Sequence, residues 1–338
     1  MKTDGINLQS IREKAKELSK YIIRTPTTKL NSQFISELLG NSEVFLKLEC
    51  LQHTGTFKAR GALSVARQIP MDKKKFGITA ASAGNHAIAS AWAAKQLNMS
   101  AHVVMQSSAN PFRIKAAKAQ GAKITLKEAG APLFAEAERL VKDEKRTFIH
   151  PFEGMHTSLG ASGVGLELME DILNLDAVIV SVGGGGLISG VAAAVKEINP
   201  NCKVYGVEPI GANSMSQSIL KGEPITLTKV ETIADSLSPP MSLPLGLALC
   251  QKYVDEIVTV SDDLICTGMT LFQEEAKLAV EPAAGAAMAG MISPLRSKLK
   301  NKRVGLIVCG ANIDSESYSS FLSRGATNIH KLIEKIEC

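Results

Sequence analysis

Short runs rich in β-branched residues alternate along almost the whole chain with stretches whose apolar positions recur every three to four residues. The first kind predicts strands at 44–50 (VFLKLEC), 77–81, 102–105, 123–128, 147–152, 177–182, 203–208, 256–261 and 304–310. The second predicts helices over 57–69, 85–98, 111–119, 131–142, 157–174, 187–198, 213–221, 262–278 and 283–299. Leu8, Ile11, Ala15, Leu18 and Ile22 add helical spacing near the N-terminus. Such alternation argues for an α/β fold with largely parallel sheets, because parallel neighbours need a crossover and a helix supplies it. Pro224, Pro239, Pro240 and Pro244 mark 222–246 as an irregular stretch long enough to serve function. At 338 residues two domains are the natural expectation. Four strand–helix units near 72–150 would make the small one, with 1–71 and 151–338 forming the large one.

Composition narrows the partners. Only 4% of residues are aromatic, which counts against stacking on single-stranded nucleic acid. The net charge of +5 is spread out; Lys73-Lys74-Lys75 and Lys300-Asn301-Lys302-Arg303 read as solvated faces, and no nucleic-acid partner is expected. Residues 177–195 carry no charge for long enough to span a bilayer, but they contain four consecutive glycines. An interior glycine costs a helix roughly 1 kcal/mol relative to alanine, so the segment reads as strand, loop and helix, not a membrane span. The cysteines at 50, 202, 250, 266, 309 and 338 form no C-x-x-C pair, and with the histidines they give no zinc spacing. Together with an N-terminus lacking an apolar signal segment, this predicts a cytoplasmic setting.

Two stretches carry candidate chemistry. SVGGGGLISG (181–190) ends a strand and opens a helix, where backbone N–H groups and the helix dipole make an anion site. A dinucleotide site competes with a phosphate site there, since Glu208 ends the next strand about 20 residues on. The glycine register is poor for it: the third position of G-x-G-x-x-G falls on Ser189 counted from Gly184, or on Ile188 from Gly183. In HTGTFKARGA (53–62), Lys58 stands beside Phe57, just after a turn and at the start of a helix. An amine attacks an aldehyde only when neutral, and burial or a nearby cation such as Arg60 lowers a lysine pKa. Taken alone, Lys58 also fits the exposed side of an early helical turn.

LKLECLQHTGTFKARGA (46–62), SAGNHAIA (82–89), SVGGGGLISG, GVEPIGA (206–212), TIADS (232–236), VEPAAGAA (280–287) and VCGANID (308–314) occur in order along nearly the whole chain. The set resembles the fold-type II pyridoxal-phosphate enzymes, in the serine/threonine dehydratase and serine racemase branch. The resemblance implies a tryptophan synthase β-like fold: two open, twisted, mostly parallel sheets flanked by helices. It implies pyridoxal 5′-phosphate joined to Lys58 as a Schiff base, with Phe57 packing near its ring. Asn85 would hydrogen-bond the cofactor's 3′-oxygen, and Gly183, Gly184, Gly185 and Gly186 would hold its phosphate. Cys309 would lie beside the pyridine nitrogen as a neutral group, a weaker partner than an aspartate. Ser82, Asn85 and His86 would receive the substrate carboxylate at a helix start, where the residues alone would suggest an N-cap. Asp235 would lie on the substrate's hydroxyl side, though it also fits a turn residue.

The implied activity is that of a lyase: α,β-elimination from L-threonine, L-serine or a related 3-hydroxy amino acid, releasing a 2-oxo acid and ammonia. Alternatives within the cofactor class are a 3-hydroxyaspartate dehydratase and a serine racemase; from another class, a nicotinamide-dependent oxidoreductase would leave Lys58 idle. Racemases of the branch carry a second serine where this chain has Ala83. The divalent-metal site of some relatives matches at Glu208 and Ala212, but Ser214 replaces an aspartate, which counts against a divalent cation and leaves a monovalent one open, with neither supported. Dehydratases usually show Asp-Gly where Asp235-Ser236 stands, which leaves the accepted side chain open. The chain stops soon after its last core strand, so no C-terminal regulatory domain is expected. A homodimer or homotetramer is.

Overall fold

Ten strands sort into two sheets in a computed structural model that describes residues 5–82, 84–128 and 130–337. The strands are β1 (Thr27–Lys29), β2 (Glu43–Lys47), β3 (Ile78–Ala81), β4 (Ala101–Gln106), β5 (Lys123–Lys127), β6 (Thr147–Phe148), β7 (Ala177–Ser181), β8 (Lys203–Pro209), β9 (Glu256–Val260) and β10 (Arg303–Ile307). The larger sheet runs β1-β2-β10-β7-β8-β9 and is parallel except for the β1–β2 pair. The smaller runs β5-β4-β3-β6 and is parallel throughout. Both are covered by helices, which is why strands such as Ala177–Ser181 are buried along their whole length instead of alternating.

One helix, Met155–Asp171, carries much of the site's geometry. A Cβ on Gly160 would approach the Arg60 carbonyl oxygen to 2.6 Å, and one on Gly190 would approach that of Ser158 to 2.3 Å. Missing side chains therefore let the Lys58–Ala66 and Gly186–Ile198 helices pack backbone to backbone on a common support. Lysine and glycine loop are fixed relative to each other through it.

Most predicted elements appear within a few residues, with informative exceptions. The strand expected to reach 152 stops at Phe148, because His150 Nδ1 accepts the N–H groups of Phe152 (3.3 Å) and Glu153 (2.9 Å) and turns the chain. The helix expected over 283–299 ends at Ile292, followed by a 3-10 turn at Arg296–Leu299. Helix Pro244–Tyr253 starts inside the stretch read as irregular, with its proline in the first turn, where no N–H is needed. Strand β1 and the helices Gln33–Leu38, Met71–Lys74 and Ser315–Glu337 were not anticipated. In the last, Tyr318, Phe321, Leu322 and Ile329 pack on the main core at helical spacing, among many serines that mask the period.

Candidate active site

The carboxyl ends of β2, β10 and β7, three neighbours in one sheet, each lead into a candidate segment: the lysine turn, the Cys309 loop and the tetraglycine loop. Ligands in open α/β sheets collect at such ends, where crossovers leave in opposite directions. Thr54 adopts a positive φ of 67°, reversing the chain so that Thr56 pairs with Gly310. The Cys309 carbonyl accepts both the Phe57 N–H (3.1 Å) and the Thr56 hydroxyl (3.2 Å). Lys58, first residue of its helix, is thereby locked onto the end of β10.

Lys58 Nζ donates to the Pro151 carbonyl at 2.6 Å and lies 5.1 Å from the centre of the Phe57 ring. The residue is half-buried, but its amine sits deep in a small pocket shared with His86, His150 and Gly186. Burial pushes the amine down to about 8, against the opposing pull of nearby Cys309 and Glu281. The suggested help from Arg60 does not occur. Its guanidinium points the other way, bonding Glu49 twice (2.8 Å each) and Glu167 twice (2.7 and 2.8 Å), while Lys47 meets Glu167 at 2.7 Å. Two residues of helical rotation put Arg60 on the opposite face, where it anchors the helix instead of tuning the amine.

The glycine loop is hemmed in on both sides. A Cβ on Gly184 would fall 2.2 Å from the Phe152 ring, and Gly185 has φ 89°, left-handed. Gly183 faces Leu237 and Pro239 of the Pro-rich stretch. Ser181 ends β7 and Gly186 opens the next helix, so the loop's amides lie at a helix N-terminus. Glu208, the residue a dinucleotide site would use, is committed elsewhere. It accepts N–H groups of Met215 and Ser216 (2.9 Å each) and the Ser216 hydroxyl, capping the Ser214–Lys221 helix. Burial holds its carboxyl up at about 7 against those bonds. Ala212 and Ser214 lie close by in sequence, Ser214 with a buried hydroxyl that finds no partner. Among the described residues no cluster of three or more His, Cys, Asp or Glu has a metal-holding arrangement.

Across the cleft, Asn85 opens the helix after β3. Its Nδ2 donates to both Glu281 oxygens (2.7 and 2.9 Å), and its Oδ1 accepts from Asn312 Nδ2 (2.7 Å). Ser82 Oγ accepts the Gly84 N–H at 3.2 Å. Ala83 lies outside the described residues. The His86 ring is occupied internally, with Nε2 at 2.8 Å from the Ile149 carbonyl; burial and Lys58 drive its pKa down to about 3. With the ring so engaged, it is the backbone N–H of His86, at the start of the Asn85–Gln96 helix, that is placed for an anion, as the helix-start reading expects. Asp235 is half exposed and paired with Arg113, whose guanidinium also donates to the Asn312 carbonyl (3.0 and 3.1 Å). Cys309 is enclosed beside Glu281, and burial lifts its thiol well above the ordinary range, so it stays neutral.

Glu281, Arg113, Asn312, His150 and Pro151 were not singled out in the sequence. Glu281 and Asn312 fall within quoted motifs; Arg113 sits in the Pro111–Ala119 helix and gives no local sign. The assembled residues fit pyridoxal phosphate on their own chemistry: a deep amine of lowered pKa for an aldehyde, glycine amides at a helix start for a phosphate, and a neutral thiol for a ring nitrogen.

The chain matches the family described as "Pyridoxal-phosphate dependent enzyme" over residues 18–310. It is 42% identical over 289 residues to phenylserine dehydratase of Ralstonia pickettii, covering 86% of this chain and 89% of that one. L-threonine ammonia-lyase of Thermotoga maritima is 35% identical over 324 residues, covering 95% and 79% respectively. The solved structure of maize serine racemase superposes with a TM-score of 0.88 at 32% identity, covering 96% of this chain and 99% of that one. Where the lysine, the glycine loop and the neutral thiol converge, sequence and fold give one answer: the chain belongs to the pyridoxal-phosphate dependent enzymes of fold-type II.

Proposed function

We propose that the protein is a dehydratase of 3-hydroxy amino acids, taking L-threonine, L-serine or a close relative to a 2-oxo acid and ammonia. The observation that carries this reading is the deep Lys58 amine, pushed down to about 8, facing the glycine loop with neutral Cys309 beside it. Relatives bearing dehydratase and ammonia-lyase names at 42% and 35% identity support it. When bound, the cofactor supplies an aldehyde for Lys58 and a sink for the electrons left at the substrate's Cα. Lys58, neutral and prepositioned, removes the Cα proton. Ser82 and the amides opening the Asn85 helix hold the substrate carboxylate. Gly183, Gly184, Gly185 and Gly186 hold the cofactor phosphate, Asn85 its 3′-oxygen, Cys309 its ring nitrogen, and Phe57 flanks the ring. Asp235, steadied by Arg113, orients the departing hydroxyl.

The phenylserine dehydratase relative favours a second reading of the substrate, an aromatic 3-hydroxy amino acid. Ser236, in place of the usual glycine, with Leu237 and Pro239, forms the wall against Gly183 that would decide between the two. We also read 72–150 as a small domain built on the four-stranded sheet, 1–71 with 151–338 as the large one, and the assembly as a cytoplasmic homodimer or homotetramer.

Borohydride reduction of the purified, yellow protein followed by peptide mapping tests the assignment: the tag is expected on Lys58, and a tag on another residue overturns it. Lys58→Ala is expected to lose ammonia release from a panel of 3-hydroxy amino acids. Substantial remaining turnover counts against the mechanism.

A further inference from the structure

Asn312, on the loop after β10, bonds in four directions. Its Nδ2 donates to the Thr54 carbonyl and to Asn85 Oδ1, both at 2.7 Å. Its backbone N–H donates to Glu281 at 3.1 Å, and its carbonyl accepts the Arg113 guanidinium at 3.0 and 3.1 Å. The side chain is buried, and a Cβ on Gly55 would come within 2.7 Å of its Oδ1. The turn that delivers Lys58 thus closes directly on this residue.

These partners fix which way two amides point. An amide side chain has a donor end and an acceptor end. The Thr54 backbone carbonyl faces Asn312 Nδ2, so the donor end of Asn312 belongs there. Asn85 must then present Oδ1 to Asn312 and Nδ2 to Glu281. Turning the Asn85 amide over would set its oxygen against a carboxylate and its NH₂ against another NH₂. Of the two hydrogens on Asn85 Nδ2, one is shared between the two Glu281 oxygens. Among the described residues the other has the Ser236 hydroxyl near it, at a long 3.4 Å.

We propose that Asn312 is a positioning residue that holds the Asn85 amide with one N–H directed at the cofactor's 3′-oxygen. This rests on the reading of Asn85 given above. Asn312 touches no reacting atom; it acts through Asn85, and Arg113 and Glu281 hold its backbone in place.

A double-mutant cycle on the loaded enzyme tests it, reading the pyridoxal phosphate dissociation constant and the visible absorbance band, with the thermal midpoint of cofactor-free protein as control. Asn312→Ala is expected to weaken cofactor binding about tenfold, the loss of roughly one hydrogen bond. It is expected to alter the absorbance band in the same sense as Asn85→Ala. The double variant is expected to match Asn85→Ala alone, because the two residues act in series. Independent, multiplying effects, or an Asn312→Ala indistinguishable from the parent, overturn the proposal while leaving the role of Asn85 intact. An Asn85→Ala that changes neither readout sinks the reading of Asn85 itself, and the proposal with it. If Asn312→Ala fails to fold, Asn312→Ser keeps a short donor and is run through the same cycle, with a smaller effect of the same pattern expected.

Discussion

At the scale of single residues, the chemistry depends on how much neutral amine Lys58 offers. At its ordinary value only about one lysine in several thousand is neutral at pH 7, whereas near 8 about one in ten is. Below about 8 the amine is held protonated, so its reaction with an added aldehyde should quicken roughly tenfold per pH unit and level off above. Stopped-flow uptake of pyridoxal phosphate by cofactor-free protein measures this directly. The two imidazoles beside it, driven down to about 3 (His86) and about 4 (His150) by burial and by Lys58, stay uncharged through this range. A histidine inflection between about pH 5 and 7, beyond the one the added phosphate ester itself gives near 6, would therefore contradict the geometry. Arg60 shows the limit of reading neighbours in sequence as neighbours in space: it is two residues away and faces a different set of partners.

Among elements, the tetraglycine loop has little freedom to vary. It lies between the Phe152 ring and the Leu237–Pro239 stretch, with Gly185 left-handed. Gly184→Ala pushes a methyl into the ring at 2.2 Å, and relief requires the loop to move off its place at the helix start. Overpacking of this kind costs about 1–3 kcal/mol. We expect Gly184→Ala to keep its circular dichroism spectrum while losing cofactor affinity by about tenfold or more, measured by equilibrium dialysis. One element boundary that sequence patterns missed is set by a side chain that bonds the backbone two and three residues further on. His150 ends β6 by accepting two backbone N–H groups, and no local preference announces that.

Over the whole molecule, the two sheets are tied together where their carboxyl ends meet. Arg113, on the Pro111–Ala119 helix beside the smaller sheet, reaches Asp235 and the Asn312 carbonyl, and Asn110 reaches Asp314. Both ties lie beside Asp235, on the side proposed to take the substrate. Arg113→Ala frees Asp235 and loosens that edge, so KM for the amino acid is expected to rise about tenfold with a smaller change in kcat, read from steady-state kinetics. A fall in kcat with unchanged KM would instead place Arg113 in the chemical step.

The strand–helix alternation, the lysine turn and the glycine loop were all legible in the sequence, because hydrophobic period and turn chemistry are properties of a few consecutive residues. The burial that lowers the Lys58 pKa, the buried carboxylate partners of Arg60, the capping duty of Glu208 and the orientation of the Asn85 amide were decided only by the tertiary structure. Most depend on partners brought from far along the chain, as with Asn85 and Glu281, 196 residues apart; Glu208 meets its own after the chain turns back within eight residues. Desolvation and hydrogen-bond direction have no value until those partners meet.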